Sequence, residues 1–218
     1  LWHIMKYYAS FGHTEFILLL GYKSDVIKDY FLNYEVHNND FTINLGNKNS
    51  LQIHNSHPEK NWKITFAETG LNAMTGARIR KIKKYINDNE SFLLTYGDGL
   101  GDIDITKLID FHKKNGKTLT LTGVMPAGRF GELLTNGQGE ITDFKEKPKT
   151  VKSRINGGFF VANYELFDYI DEGDNEVFEQ SPMKRLVKKR ELMQFNHDGF
   201  WQPMDTHKEF HELNKLYS

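Results

Sequence analysis

Phe92-Leu-Leu-Thr-Tyr96 runs directly into Gly97-Asp98-Gly99-Leu100-Gly101-Asp102. The apolar and β-favouring residues predict a buried strand, and the glycines after it predict a tight, open turn. Ligands of open α/β sheets bind at the carboxyl ends of the strands, where a carboxylate reaches a metal ion and a phosphate. Asp98 is therefore the first candidate site residue. The alternative is an ordinary strand-to-helix turn, in which glycine supplies a positive φ and Asp104 caps the next helix.

The composition is that of a globular protein. The chain has 218 residues, of which 39% are hydrophobic and 26% are charged, and this predicts one domain with a substantial core. A net charge of −1 gives no general attraction to nucleic acid or to an anionic membrane. The chain has no cysteine and no long apolar run, so we expect a cytoplasmic protein without a nucleic-acid or membrane partner.

Helical and strand-like patterns alternate over the first 125 residues, which predicts an α/β fold with a doubly wound, mostly parallel but mixed sheet. Ser24 and Thr75 are predicted helix caps, and residues 199–206 read as irregular. The predicted helices are 1–11, 24–34, 76–86, 105–115, 164–170, 181–189 and 207–216. The predicted strands are 15–20, 41–45, 51–53, 62–67, 92–96, 119–124, 140–145, 155–162 and 192–195.

Charged groups stand at the ends of apolar segments in three places: Asp98, Glu146-Lys147-Pro148 and Asp205. Two aspartates from separate loops can hold one Mg²⁺ and leave coordination positions for phosphate oxygens, and a lysine supplies a matching point charge. Two alternatives stay open. Asp205 is equally well placed to cap the terminal helix, and Lys147 to be a solvated lysine.

Six short motifs span nearly the whole chain. They are Thr69-Gly70, Met74-Thr-Gly-Ala-Arg78, Thr95-Tyr-Gly-Asp-Gly99, Phe144-Lys-Glu-Lys-Pro148, Ile155-Asn-Gly-Gly-Phe-Phe160 and Gly199-Phe-Trp-Gln-Pro-Met-Asp-Thr206. Each motif is weak alone, but the six together and in this order are specific, and they resemble the sugar nucleotidyltransferase family. This resemblance implies a Rossmann-like nucleotide-binding fold.

The resemblance implies a single nucleotidyltransferase domain over residues 1–218 and a Mg²⁺-dependent enzyme. Within the family, the motifs resemble most the enzymes that join CTP and α-D-glucose 1-phosphate to give CDP-glucose and pyrophosphate. Such enzymes supply nucleotide sugar for the dideoxyhexoses of surface polysaccharide such as O-antigen. The resemblance also implies a homo-oligomer.

The same resemblance assigns site residues by position. Asp98 and Asp205 correspond to magnesium ligands and, with Lys147, to catalytic residues. The nucleotide-binding positions are Thr75, Gly76, Arg78 and Gly97. The sugar-phosphate-binding positions are Gly131, Glu146, Lys147, Asn156 and Gly157.

Several alternatives remain at this point. The base is either cytosine or, in a related transferase, uracil or thymine, and the chain is either an enzyme or a non-catalytic nucleotide-sugar-binding subunit. Phe200 and Trp201 either stack on a ligand or pack in a core or a subunit interface. The family's N-terminal strand and glycine-rich phosphate loop do not precede Leu1, so we expect the chain to be part of a longer one and inactive alone.

Overall fold

The structure is a computed structural model that describes residues 1–55, 57–126, 132–135, 141–145 and 154–217, with backbone only at 48, 49, 132–135, 141–145 and 217. The chain forms two compact units. The N-terminal unit comprises Trp2–Ile86 and Phe167–Lys184, and the central unit comprises Leu1, Asn87–Leu166 and Arg185–Ser218. The single domain expected from the sequence stays a prediction.

The helices and strands alternate along most of the chain. The α-helices are α1 (Trp2–Ser10), α2 (Ser24–Leu32), α3 (Tyr34–Asn38), α4 (Thr75–Lys81), α5 (Ile105–Asn115), α6 (Ser181–Lys189) and α7 (His207–Tyr217). Short 3₁₀ helices span Pro58–Asn61, Lys83–Tyr85 and Tyr164–Tyr169. The strands are β1 (Glu15–Leu20), β2 (Phe41–Asn44), β3 (Asn47–Ile53), β4 (Lys63–Glu68), β5 (Phe92–Thr95), β6 (Gly99–Gly101), β7 (Leu119–Val124), β8 (Glu132–Thr135), β9 (Ile141–Lys145), β10 (Ile155–Ala162), β11 (Leu192–His197) and β12 (Trp201–Pro203).

The N-terminal unit is built on the parallel pair β1 and β4, whose residues align from Glu15–Lys63 to Leu20–Glu68. A small core of Met5, Leu18 and Leu20 lies against this pair, with partly buried aromatic side chains around it. Burial of the apolar run at 16–20 explains why this strand is predictable from the sequence alone.

The central unit contains a four-stranded sheet in the order β11-β7-β10-β5. β11 is parallel to β7, whereas β10 is antiparallel to both β7 and β5. The fully buried side chains of Leu119, Phe159, Phe160 and Leu108 form its core. The antiparallel β10 makes this sheet mixed, as the sequence predicted.

Helix α5 matches its prediction at both ends. The Asp104 side chain accepts a hydrogen bond from the Lys107 N–H at 3.0 Å, and Gly116 ends the helix with φ at +59°. The hydrogen bond from the backbone N–H of Lys107, and then the Lys107 side chain, lower the pKa of Asp104. The alternative interpretation of the glycine turn predicted that Asp104 caps the next helix, and this part of it is confirmed.

The following two predicted helix ends are wrong. Ser24 is the first residue of α2 rather than its cap, since the cap position is Lys23 with φ at +55° and no side-chain hydrogen bond. The helix predicted to reach residue 86 ends at Lys81 and continues as a 3₁₀ turn. The short helix predicted near residues 164–170 is confirmed and is a 3₁₀ helix. Local sequence fixes where these helices lie better than how their ends are closed.

No helix in the described part of the chain has the length and apolar character needed to cross a membrane.

Candidate active site

Strands β6 and β12 form a separate two-stranded sheet, which we call the ribbon. They pair in antiparallel fashion from Trp201–Gly101 to Pro203–Gly99. Residues 199–206 are therefore not wholly irregular, contrary to the prediction. The strand escaped detection because it is three residues long and its partner is a distant glycine-rich segment, so no local alternation marks it.

The ribbon brings the two predicted metal ligands together. Asp98 immediately precedes β6, and Asp205 lies two residues after the end of β12. The backbone N–H of Met204 donates to the carbonyl oxygen of Asp98 at 2.9 Å, so the pairing continues one step beyond the strands. Both aspartates are exposed. Two carboxylates that are far apart in sequence thus lie at the same end of one ribbon.

Glycine at this turn serves close approach rather than positive φ. Gly97, Gly99 and Gly101 all lack a positive φ, which corrects the sequence-based alternative. A Cβ at Gly101 would lie 3.0 Å from the carbonyl oxygen of Phe200, the residue that precedes the paired strand. A Cβ at Gly97 would meet no atom within 4 Å, so the chain is open to approach beside Asp98.

The backbone at Asp205 is held by the first turn of α7. A carboxylate oxygen of Glu209, Oε2, accepts the N–H groups of Asp205 and Thr206, each at 2.9 Å, and the Thr206 Oγ1 accepts the Glu209 N–H at 3.2 Å. This is a capping box, with Thr206 as the cap. The alternative in which Asp205 caps the helix is wrong. The Thr-x-x-Glu spacing at 206–209 is the sequence signal that identifies Glu209.

Asn156 and Gly157 lie in a bulge of β10. The register with β7 shifts between Asn156 and Phe160, and Gly158 has φ at +77°. Asn156 Oδ1 accepts the Gly158 N–H at 2.9 Å, which closes the bulge. A Cβ at Gly157 would lie 2.6 Å from Cγ1 of Val124, so β7 presses directly on the bulge. Bulges of this kind re-aim side chains and are frequent beside active sites.

Trp201 connects the ribbon to this bulge. Its indole N–H donates to the carbonyl oxygen of Gly157 at 2.8 Å. Nε1 would lie 3.7 Å from a Cβ at Gly99, so the ring occupies the space that this glycine leaves. Trp201 is half-buried, and its polar edge is used within the protein. Five predicted site residues, Gly97, Asp98, Asn156, Gly157 and Asp205, therefore lie on connected segments of the central unit.

The other end of the ribbon is held by two side chains that the sequence analysis missed. His197 Nε2 lies 2.9 Å from a carboxylate oxygen of Asp102 and 3.1 Å from the carbonyl oxygen of Phe200. Because both neighbours are acceptors, this nitrogen carries a proton. Arg154 donates to the His197 carbonyl oxygen at 2.8 Å and also bonds to the Asp198 carboxylate.

In the N-terminal unit, Arg78 ties together the carboxyl ends of the parallel strands. Its Nη1 donates to Thr69 Oγ1 at 2.7 Å and to the carbonyl oxygen of Leu20 at 3.1 Å. Leu20 ends β1, and Thr69 follows β4. The guanidinium passes so close to Gly21 that a Cβ there would lie 2.5 Å from it. The predicted nucleotide-binding arginine thus also builds the loop edge from which it would act.

Thr75 and Gly76 pack against residues 176–179 of the same unit. Thr75 Oγ1 donates to a Glu179 carboxylate oxygen at 2.7 Å and accepts the Phe178 N–H at 2.9 Å. A Cβ at Gly76 would lie 2.8 Å from the Glu176 carbonyl oxygen. Thr75 is therefore not the cap of α4, as predicted. The cap position is Met74, without a side-chain hydrogen bond.

The predicted site residues Gly131, Glu146 and Lys147 lie outside the described residues. Within the described ranges, no group of three or more His, Asp or Glu side chains is arranged to hold a metal ion. The aspartate pair offers only oxygen donors. Mg²⁺ suits such a pair because it keeps several waters and binds through one or two carboxylates plus substrate phosphates.

The model of the nucleotidyl transferase family matches residues 24–218. The chain belongs to this family. Among its relatives, the glucose-1-phosphate cytidylyltransferase of Salmonella typhimurium is 48% identical over 206 residues, covering 94% of this chain and 79% of that protein. The probable glucose-1-phosphate cytidylyltransferase of Bacillus subtilis is 45% identical over 218 residues, covering 100% of this chain and 84% of the relative.

A solved crystal structure shares the fold of this chain. The crystal structure of HddC from Yersinia pseudotuberculosis superposes with a TM-score of 0.68 at 20% identity, covering 100% of this chain and 84% of that one. At this identity the similarity is evidence for the fold alone. It confirms the Rossmann-like, mixed α/β architecture predicted from the sequence.

Proposed function

We propose that this protein transfers a cytidylyl group from CTP to α-D-glucose 1-phosphate, giving CDP-glucose and pyrophosphate. The relatives named for this reaction are 45% and 48% identical to the chain. The structural observation that carries the proposal is the pairing of Asp98 with the Met204–Asp205 segment across the ribbon. It supports a site for two phosphorylated substrates at the carboxyl end of β5.

The reaction needs positioning and charge stabilisation rather than a protein nucleophile. A phosphate oxygen of glucose 1-phosphate forms a bond to the α-phosphorus of CTP, and the bond from that phosphorus to the bridging oxygen breaks. Pyrophosphate leaves with the electron pair. The protein has to bring two anions together and stabilise the charge that moves onto the leaving group.

Asp98 and Asp205 would hold Mg²⁺ in this proposal. The bound ion offsets the repulsion between the phosphates and neutralises the charge that develops on the leaving group. The ribbon holds the backbone of the two aspartates at its same end, and the Glu209 carboxylate fixes the backbone at Asp205 through its N–H. Lys147 positions the sugar phosphate in the same proposal.

The proposed sugar contacts are assigned by resemblance, and two of them, Asn156 and Gly157, lie in the β10 bulge. Since Asn156 uses its Oδ1 inside the bulge, its side-chain NH₂ is the group available to a sugar hydroxyl. The remaining proposed sugar-phosphate contacts are Gly131, Glu146 and Gly157. The proposed nucleotide contacts are Thr75, Gly76, Arg78 and Gly97.

The test measures pyrophosphate release from CTP and glucose 1-phosphate by the full-length protein with Mg²⁺. We expect Asp98→Ala to lower kcat by at least about 10²-fold, as does loss of one preorganised transition-state contact. Asp205→Ala should act in the same direction. Asp110→Ala, at an exposed aspartate of α5, is the matched control and should leave turnover unchanged. Near-normal turnover in both site variants would remove the aspartate pair from the mechanism.

A nucleotide panel decides the base. Turnover with CTP well above that with UTP or dTTP supports the proposal, and the opposite order assigns a uridylyl- or thymidylyltransferase. Binding of CDP-glucose without any turnover assigns a non-catalytic nucleotide-sugar-binding subunit instead.

We also propose the setting in which the reaction takes place. CDP-glucose would supply dideoxyhexose synthesis for surface polysaccharide such as O-antigen, in the cytoplasm where CTP is made. A homo-oligomer is supported by exposed apolar side chains on the N-terminal unit, including Val26, Leu32 and Leu45. Light scattering after size-exclusion chromatography tests this, and a monomeric mass would contradict it.

A further inference from the structure

The ribbon carries the proposed metal ligands, yet it is short. Each of its strands has three residues, and it is a sheet separate from the four-stranded one in the described part of the chain. An isolated two-stranded pairing is at best marginally stable in water. Its position therefore depends on side chains that fasten it to the rest of the central unit.

We propose that Trp201 is a positioning residue, whose indole N–H sets the distance between the aspartate pair and the β10 bulge. The inference rests on the proposed function, because it concerns how metal ligands and sugar contacts are held in register. The hydrogen bond from Nε1 to the Gly157 carbonyl oxygen is 2.8 Å long, within the range of well-formed hydrogen bonds. It joins a residue four before Asp205 to the residue directly after Asn156.

The acceptor of this hydrogen bond is itself fixed from several sides. Val124 and the Thr122 carbonyl oxygen leave no room at Gly157, where a Cβ would lie 2.6 and 3.1 Å from them. The next residue, Gly158, donates to Asn156 Oδ1 and accepts the Tyr96 N–H at 3.3 Å. The bulge is thus a rigid reference point, and the ribbon takes its position from it.

The donor side is equally constrained. Trp201 pairs with Gly101, and its ring crosses the neighbouring glycine, Gly99. A Cβ at residue 99 would be in ordinary van der Waals contact with the indole, so only a larger side chain there would compete for this space. Two glycines and one tryptophan therefore form a single arrangement, in which removal of the N–H leaves a half-buried carbonyl without its partner.

The experiment separates the N–H from the ring. Trp201→Phe keeps an aromatic ring and removes the donor, and β-(3-benzothienyl)alanine at the same position keeps the bicyclic shape with sulfur in place of N–H. Both variants should lower kcat about tenfold, raise the KM for glucose 1-phosphate severalfold and raise the Mg²⁺ concentration for half-maximal rate. The KM for CTP should stay within about twofold. A purely structural contact would lower the melting temperature and leave the Mg²⁺ dependence unchanged.

Trp62→Phe is the matched control, because Trp62 packs edge-on against Phe16 in the N-terminal unit, with ring centroids 5.2 Å apart. It should leave all four kinetic quantities within about twofold. If both Trp201 variants also do so, the inference is overturned.

A failure of the proposed function can be distinguished from a failure of the positioning role of Trp201. If the unsubstituted protein gives no turnover, the indole N–H resonance of Trp201, identified by its loss in Trp201→Phe, decides the question. A shift on Mg²⁺ addition that disappears in Asp98→Ala supports the positioning role, and the absence of any shift overturns it.

Discussion

Replacement of Arg78 by alanine should destabilise the N-terminal unit and weaken binding of CTP at the same time. In the structure, Nη1 donates to Thr69 Oγ1 at 2.7 Å and to the Leu20 carbonyl oxygen at 3.1 Å. A third contact, from Nη2 to the Leu71 carbonyl oxygen at 3.4 Å, is too long to count as a full hydrogen bond.

The magnitude follows from these two hydrogen bonds. A hydrogen bond from a charged group contributes about 1.5–3 kcal/mol to stability. The loss of stability is smaller than the sum for two such hydrogen bonds, because the two acceptor residues also hydrogen-bond to each other. Thr69 donates its N–H and its hydroxyl to the Leu20 carbonyl oxygen, at 3.0 and 2.7 Å. We therefore expect a loss of about 2 kcal/mol in the free energy of unfolding. The KM for CTP should rise about tenfold, the equivalent of 1.4 kcal/mol, if the guanidinium also contacts the nucleotide.

Urea denaturation measures the first quantity, and initial rates against CTP concentration measure the second. Arg80→Ala is the matched control on the same helix. Arg80 donates to the Ile170 carbonyl oxygen at 2.6 Å and to the Glu172 carboxylate at 3.0 Å, so its loss should cost a similar free energy. It should leave the KM for CTP unchanged.

Two results would refute this reasoning in different ways. An unchanged free energy of unfolding in Arg78→Ala would show that the guanidinium does not hold the ends of β1 and β4. A loss of stability with an unchanged KM for CTP would leave Arg78 a structural residue and remove it from the nucleotide site.

Glu209→Ala removes the capping box, so the free energy of unfolding measured with urea should fall by about 1 kcal/mol. The same variant releases the backbone at Asp205 and should lower turnover severalfold, and an unaltered turnover would contradict this role. Gly157→Ala should cost about 1–3 kcal/mol of unfolding free energy by overpacking. Gly97→Ala should change the free energy of unfolding by less than about 0.5 kcal/mol yet raise the KM for CTP. An unchanged KM for CTP would remove Gly97 from the site. The hydrogen bond from the Thr118 N–H at 3.1 Å lowers the pKa of Glu191, so this carboxylate stabilises the fold above its unfolded pKa of about 4.3. The stabilisation is lost as the pH falls through the folded pKa. The difference in unfolding free energy between the unsubstituted protein and Glu191→Gln should therefore shrink in acid, and a constant difference contradicts it.

Elements with a strong local signal are predictable from this sequence. The apolar run at 15–20, the strand at 119–124 and the helix at 105–115 with its aspartate cap all have the expected bounds. In each case the signal is contained within the element: a continuous apolar or β-favouring run marks each strand, and a cap followed by helically spaced apolar residues marks the helix. The mixed order of the large sheet follows from the same strands only once the long-range pairing of β10 is known.

The candidate site was predictable as residue types but not as an arrangement. Carboxylates after apolar segments and the resemblance to the sugar nucleotidyltransferases identified Asp98 and Asp205. The ribbon that brings them together is held in turn by Trp201, Arg154 and His197, which hydrogen-bond to backbone carbonyl oxygens. No local pattern encodes such a contact, since donor and acceptor are chosen by the fold.

In the proposed function, the ribbon holds an exposed metal site that has no hydrophobic core of its own. Two exposed aspartates cannot be positioned by burial, because burying an ionised carboxylate is costly. In this protein, directional contacts take that part: Trp201 fastens the ribbon to the bulge, His197 bonds to Asp102, and Glu209 holds the backbone of Asp205. Each contact has a defined length and a defined acceptor or donor. A hydrogen-bonded frame of this kind holds the backbone at both aspartates and leaves their side chains exposed to solvent.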